Sequence, residues 1–194
     1  MDERTEIVIL PEAARAVGAV VDRIAPGAWE APSPCAGWSV RDVLNHLTSE
    51  HLWAPHLLRG ETLDQVGDRY DGDVLGPDPA GAWRRAVAGS MLAFGTADPA
   101  APVHVSFGQI GTREYASQML VDLTVHAWDL ARGAGVPYAG VPDAVEAAFA
   151  YEKPRVSSHA AAGIFAPPVP TPSESRLDQL VALLGRDPGW SARG

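Results

Sequence analysis

Only one cysteine, Cys35, occurs in 194 residues, so the chain can form no internal disulfide and no structural metal site built from its own thiolates. Basic residues are also scarce, 15 against 24 acidic ones, for a net charge of −9. They are scattered without a basic run or interleaved aromatics, which argues against nucleic acid as a partner, because each phosphate contact needs a local positive group. No apolar stretch approaches the roughly 20 residues of a membrane span, so no membrane association is expected. The opening MDERTEIVIL sets acids and an Arg ahead of a short apolar run, unlike a secretory leader. With a single thiol, this predicts a cytoplasmic protein. Glycine-rich phosphate loops, a dinucleotide fingerprint and a serine nucleophile elbow are all missing, which counts against nucleotide-dependent chemistry and serine hydrolysis.

What is present is ample apolar surface. Hydrophobic residues make up 46% of the chain, enough to bury a core, and no composition break divides it, so residues 1–194 are expected to form a single domain. A helix is predicted over Pro11 to Arg23, stopped by Pro26-Gly27. Ser39 and Asp42 form the clearest helix start, a capping box with Trp38 placed to staple against Val43. That helix buries Val40, Val43, Leu44 and Leu47 and runs past His51 and Trp53 until Pro55 bends or ends it. Residues 59–78 read as loop with a short helical turn.

A third helix opens at Asp78-Pro79 and turns Trp83, Val87 and Leu92 inward. Residues 102–108 alternate like a strand. The longest helix follows, capped by Thr112 and terminated at Gly133 and Gly135. Shorter helices are expected after Pro142 and near Ser173 or Ser175, with an extended proline-rich run between them. Four long amphipathic helices with small additions predict an all-α bundle.

Six histidines stand at 46, 51, 56, 104, 126 and 159. Asp122 and His126 lie four apart on the longest helix and therefore share a face. Asp129, three further on, is near that face. An inward carboxylate needs a cation or a hydrogen-bonding partner, and a divalent metal is one solution; an ordinary polar pair is the other. His46 faces partly inward on the capped helix, with Glu50 one turn later, and either Glu50 or Asp129 could orient a ligand histidine through its second nitrogen. His51 and His56 read as rim residues and His159 has little support as a ligand. His104 points away from the apolar positions of its strand toward a solvent-facing cleft. Cys35, ahead of a helix start, could serve as a thiol nucleophile, with a small buried hydrophobe as its plainer role.

The run Pro32-Ser33-Pro34-Cys35-Ala36-Gly37-Trp38-Ser39-Val40-Arg41-Asp42-Val43-Leu44-Asn45-His46-Leu47 resembles the N-terminal signature of the mycothiol-dependent maleylpyruvate isomerase-like proteins of actinobacteria, in the DinB-like superfamily. Asp122 to Arg132, DLTVHAWDLAR, is similar to their second signature. Phe165-Ala166-Pro167-Pro168-Val169-Pro170 and Leu184-Gly185-Arg186-Asp187-Pro188 resemble the ending of an uncharacterised metal-binding subgroup. The resemblance implies a DinB-like four-helix bundle with short additional helices and extended segments, in which His46, Asp122 and His126 hold a divalent metal. Zinc heads the candidates, followed by nickel, iron and manganese. Asp122 stands where the isomerase has Glu, and the chain is too short for the isomerase's separate C-terminal domain.

The function so implied is a metal- and thiol-dependent transferase or isomerase, with mycothiol as the thiol and a small electrophile as its partner. Arg132 could meet an anionic substrate or favour the helix C-terminus. The alternatives are a metal-dependent hydrolase using the same ligands, and a non-enzymatic metal-binding or structural module that forms a homodimer through exposed Trp or Leu faces.

Overall fold

A computed structural model describes residues 6–192. The chain is mostly helical: α1 (Glu6–Val21), α2 (Val40–Leu58), α3 (Leu63–Val66), α4 (Pro79–Thr96), a hairpin of β1 (Pro102–Val105) and β2 (Gly108–Gly111), then α5 (Thr112–Ala134), α6 (Pro142–Glu152), α7 (Val156–Ala161) and α8 (Arg176–Leu183). Helices α1 and α2 each pack against both α4 and α5, which gives the four-helix bundle. On its other side α5 meets α6, and α6 meets α8. The all-α, DinB-like expectation therefore holds.

Local chemistry sets the starts of these helices. Ser39 accepts a hydrogen bond from the Asp42 amide while the Asp42 carboxylate accepts one from the Ser39 amide at 2.9 Å, so two otherwise orphaned donors are satisfied. Asp78 caps α4 through the Gly81 amide, followed by Pro79. Ser175 caps α8, and α5 ends in a left-handed Gly135.

Tertiary burial moves other boundaries. Pro11 lies inside α1, where a helix start was expected, because Ile9 and Leu10 ahead of it are buried in the bundle core. Likewise Pro55 is accommodated inside α2, which continues to Leu58 with Ala54 and Leu57 buried. The lost amide costs less than exposing those side chains would. Thr112 is the first residue of α5 rather than its cap, and its buried hydroxyl donates to the Ala101 carbonyl at 3.0 Å. Leu92, expected in the core, is 70% exposed. The strand at Pro102 is half of a hairpin, with Val103 opposite Ile110 and the turn at Ser106-Phe107.

Two apolar clusters flank α5. One joins α1, α2, α4 and one side of α5. In the other, Val121, Val125 and Trp128 meet Val145 and Ala148 of α6 and Leu177, Leu180 and Val181 of α8. This is why α5 is buried nearly all round, as a central rather than a surface helix is. A small residue lets it approach α2: a Cβ on Gly133 would sit 2.6 Å from the Val40 side chain and 2.9 Å from the Pro32 carbonyl oxygen.

His51 departs from its expected rim position. It is fully buried, its Nδ1 2.9 Å from the Ser90 hydroxyl, with its ring edge-on to Trp83. Burial holds its pKa down to about 4, with Asp122 pulling upward and His46 pushing further down. In the unfolded chain this imidazole takes up a proton near pH 6.5. Its contribution to stability is therefore complete above that pH and is lost as the pH falls through about 4. Thermal melts of metal-free protein are expected to show a lower Tm at pH 4.5 than at pH 7, and a smaller drop for His51→Leu. Equal drops would assign the acid sensitivity to other groups.

Candidate metal centre

Helix α2 presents His46 three residues after the buried Val43, and α5 presents Asp122 and His126 on one face. Packing of α2 on α5 brings the three together. One candidate ligand atom from each lies within 4.8 Å of the other two. His46 Nε2 donates to Asp122 Oδ2 at 2.9 Å, and His126 Nε2 stands 3.5 Å from Asp122 Oδ1. Two donors bound about 2.1 Å from one ion stand roughly 3.0–3.4 Å apart in octahedral or tetrahedral arrangements. The two separations from Asp122 and the two-imidazole, one-carboxylate donor set suit a divalent ion, and the shorter arm of Asp122 still reaches both histidines.

The outer nitrogen of His126 is fixed from behind. Its Nδ1 donates to Asp129 Oδ2 at 2.8 Å, which leaves Nε2 turned toward the cluster. Asp129 is completely buried and is also held by Arg186 Nη2 at 3.0 Å. Burial pushes its pKa up, but His126 and Arg186 outweigh that and keep the carboxyl ionised below its usual range. Arg186 arrives from the end of α8 by way of Gly185, whose φ is +80°. A Cβ on Gly185 would also collide with Ala166.

Trp38 lies under the cluster instead of serving only as a helix staple. Its ring stacks on His126 at 6.0 Å between centroids and tilts against His46 at 5.2 Å. Burial disfavours the His46 imidazolium, yet the charge and hydrogen bond of Asp122, with help from Glu50, raise it to about 9. Asp122 is disfavoured by burial too, and His46, His126 and His51 still hold it far below the ordinary carboxylate range. Without an ion, therefore, the cluster stays together as an ion pair.

A cleft of about 430 Å³ opens beside it. His46, Glu50 and Asp122 form its polar wall, and Trp53, Leu57, Met119 and Phe165 are among its apolar ones. Glu50 faces this cleft and makes no hydrogen bond to His46 or His126; the carboxylate bonded to His126 is that of Asp129. Burial and the neighbouring Asp122 raise the Glu50 pKa, against the pull of His46 and His126. On another side of His46 lies an open groove shared with Trp38, Asp42, Asn45 and Tyr70.

The remaining candidates disperse. His56 binds Glu61 and Tyr70 at the far end of α2, and His104 pairs with Gln109 across the hairpin. Arg132 donates to the Pro188 carbonyl and lies over Trp128. Burial pushes the Cys35 thiol up, with Arg186 lowering it and Asp129 and Asp122 raising it further, so it is no ready nucleophile. His159, dismissed on sequence, lines the cleft and pairs with Glu152 at 2.9 Å. Its short helix α7 carries no strong apolar periodicity that would have signalled it.

Replacing the supporting pair together, Asp129→Asn with Arg186→Met, avoids stranding a buried charge. Zinc affinity measured by dye competition is expected to fall about 10- to 100-fold with helicity retained. Unchanged affinity would show that the Asp129–Arg186 pair does not tune the cluster.

Neither a curated protein nor a solved structure matches the chain. A family model does, described as the mycothiol maleylpyruvate isomerase N-terminal domain, over residues 10–131. That match spans more than half of the chain and includes His46, Asp122, His126, Asp129 and the hairpin, while Glu152, His159 and Arg186 lie beyond it. The chain belongs to the mycothiol maleylpyruvate isomerase N-terminal domain family, a DinB-like family.

Proposed function

We propose that the chain is a divalent-metal-dependent enzyme that transfers or isomerises with the help of a low-molecular-weight thiol, mycothiol by family, acting on a small apolar electrophile. The observation that carries this reading is the convergence of His46, Asp122 and His126 where two of them, His46 and Asp122, line an apolar cleft of about 430 Å³. Two neutral imidazoles and one carboxylate leave coordination positions free for an exogenous group, as catalytic sites do. The chemistry that an ion held there supplies is Lewis acidity, which lowers the pKa of a coordinated thiol.

The protein's own residues do the rest. Asp129 and Arg186 hold the His126 ring with Nε2 aimed at the cluster. Trp38 packs against both histidine rings and limits how they can turn. Glu50 stands in the cleft with a carboxylate able to accept the proton that the thiol gives up. The apolar walls select an electrophile with little charge. This reading takes the chain as one domain, because both α2 and the segment after α6 build the cleft, and places it in the cytoplasm with its thiol. Among the ions, zinc suits the donor set first, then nickel, iron and manganese.

Elemental analysis of protein purified without added metal is expected to find close to one divalent ion per chain, and close to none in His126→Ala. Conjugation of mycothiol to 1-chloro-2,4-dinitrobenzene is expected to stop on chelation and return with the identified ion. Full metal content in His126→Ala, or conjugation indifferent to chelation, would overturn the reading.

A further inference from the structure

The cleft has a second polar cluster that the metal centre leaves unused. Glu152, at the end of α6, is 2% exposed, and its Oε2 accepts a hydrogen bond from His159 Nδ1 on α7 at 2.9 Å. Both residues line the same cleft as His46 and Asp122. Among the described residues, no hydrogen bond or ion pair joins the two clusters. His159 Nε2 has no hydrogen-bond partner there either, and the ring leans on Phe165 at 6.3 Å. A histidine tethered through Nδ1 to a buried carboxylate, with Nε2 free in an apolar cleft, has the arrangement of a general acid–base. A surface ion pair has no need of a carboxylate sunk this deep.

The surroundings support a role in moving protons. Burial raises the Glu152 pKa, His159 and Arg155 lower it, and Glu114 raises it again. Arg155 and Glu114 are themselves engaged, Arg155 with the Tyr151 carbonyl and Glu114 with the Tyr151 hydroxyl. They leave His159 as the titratable group bonded to Glu152. Phe107 and Ile164, both more than half exposed, stand among the cleft residues and extend its apolar character outward.

We propose that His159, positioned by Glu152, is a catalytic proton donor of the cleft, and that the substrate is an apolar electrophile whose attacked bond leaves its electron pair on oxygen, such as an aryl epoxide. The proposal rests on the thiol-transfer reading. In the step, the thiol sulfur forms a bond to carbon and the carbon–oxygen bond breaks. Its electron pair goes to oxygen, and the proton on His159 Nε2 passes to that oxygen. Glu152 keeps the Nδ1–H bond throughout. The thiol's own proton goes to Glu50 and returns through solvent to His159, so the sum is addition of a thiol across an epoxide.

Two electrophiles separate this role from a structural one. Styrene oxide needs a proton delivered to oxygen; 1-chloro-2,4-dinitrobenzene expels chloride and needs none. With the full chain loaded with zinc and given mycothiol, His159→Gln is expected to lower kcat for styrene oxide about 100-fold or more and to leave the chloroarene rate within about threefold. Glu152→Gln should show the same selectivity, with a loss of about 10-fold for the epoxide. Equal losses on both electrophiles, or none on styrene oxide, overturn the proposal and leave thiol transfer standing. If wild type turns over neither, the thiol-transfer reading falls and this proposal with it. Diethyl pyrocarbonate, followed by peptide mass spectrometry on metal-free protein, reads the same geometry without any activity. His159 should be modified while the buried His51 is not, and a His159 as inert as His51 overturns the proposal by itself.

Discussion

The rest of the site depends on one buried charge. Asp129 has no exposed surface, and a lone carboxylate at that depth would be expelled or neutralised. It is kept ionised by two partners from different parts of the chain, His126 one helical turn away and Arg186 from the tail. Breaking such a pair by removing one member typically costs about 3–5 kcal/mol. The tail therefore packs against α5 for an electrostatic reason as well as an apolar one, and the direction of a histidine in the bundle is settled by a residue 60 positions later in the chain.

That arrangement also explains how the cluster holds together without an ion. His46 and Asp122 satisfy each other, His126 is satisfied by Asp129, and Trp38 fills the space beneath them. Side chains held together in this way are pre-organised, with little left to order. The same packing puts His46 between two openings, the apolar cleft and the polar groove beside Tyr70.

The sequence was most legible where structure is decided locally. The Ser39–Asp42 box, the Asp78-Pro79 start and the four-residue spacing of Asp122 and His126 each rest on neighbours in the chain, and each is found in place. His46 as the third member came from family resemblance, since no periodicity can say which helices meet. Errors gathered where distant packing overrides local preference. Pro11 and Pro55 sit inside helices because the residues around them are buried, and His51 was misplaced because Ser90 and Trp83 receive it from α4. Arg186 and His159 were missed for a related reason: each gains its meaning only from a partner on another element, Asp129 for one and Glu152 for the other.

Gly185 gives the clearest example of that distance. It carries no functional group and touches none of the candidate ligands, yet its left-handed turn and its closeness to Ala166 let the backbone swing Arg186 back toward Asp129. A change of this single hydrogen atom to a methyl group would be felt at an imidazole on another helix. In a collection of related sequences, variation at this unreactive position would therefore track the ligand cluster more closely than variation at many charged residues on the surface.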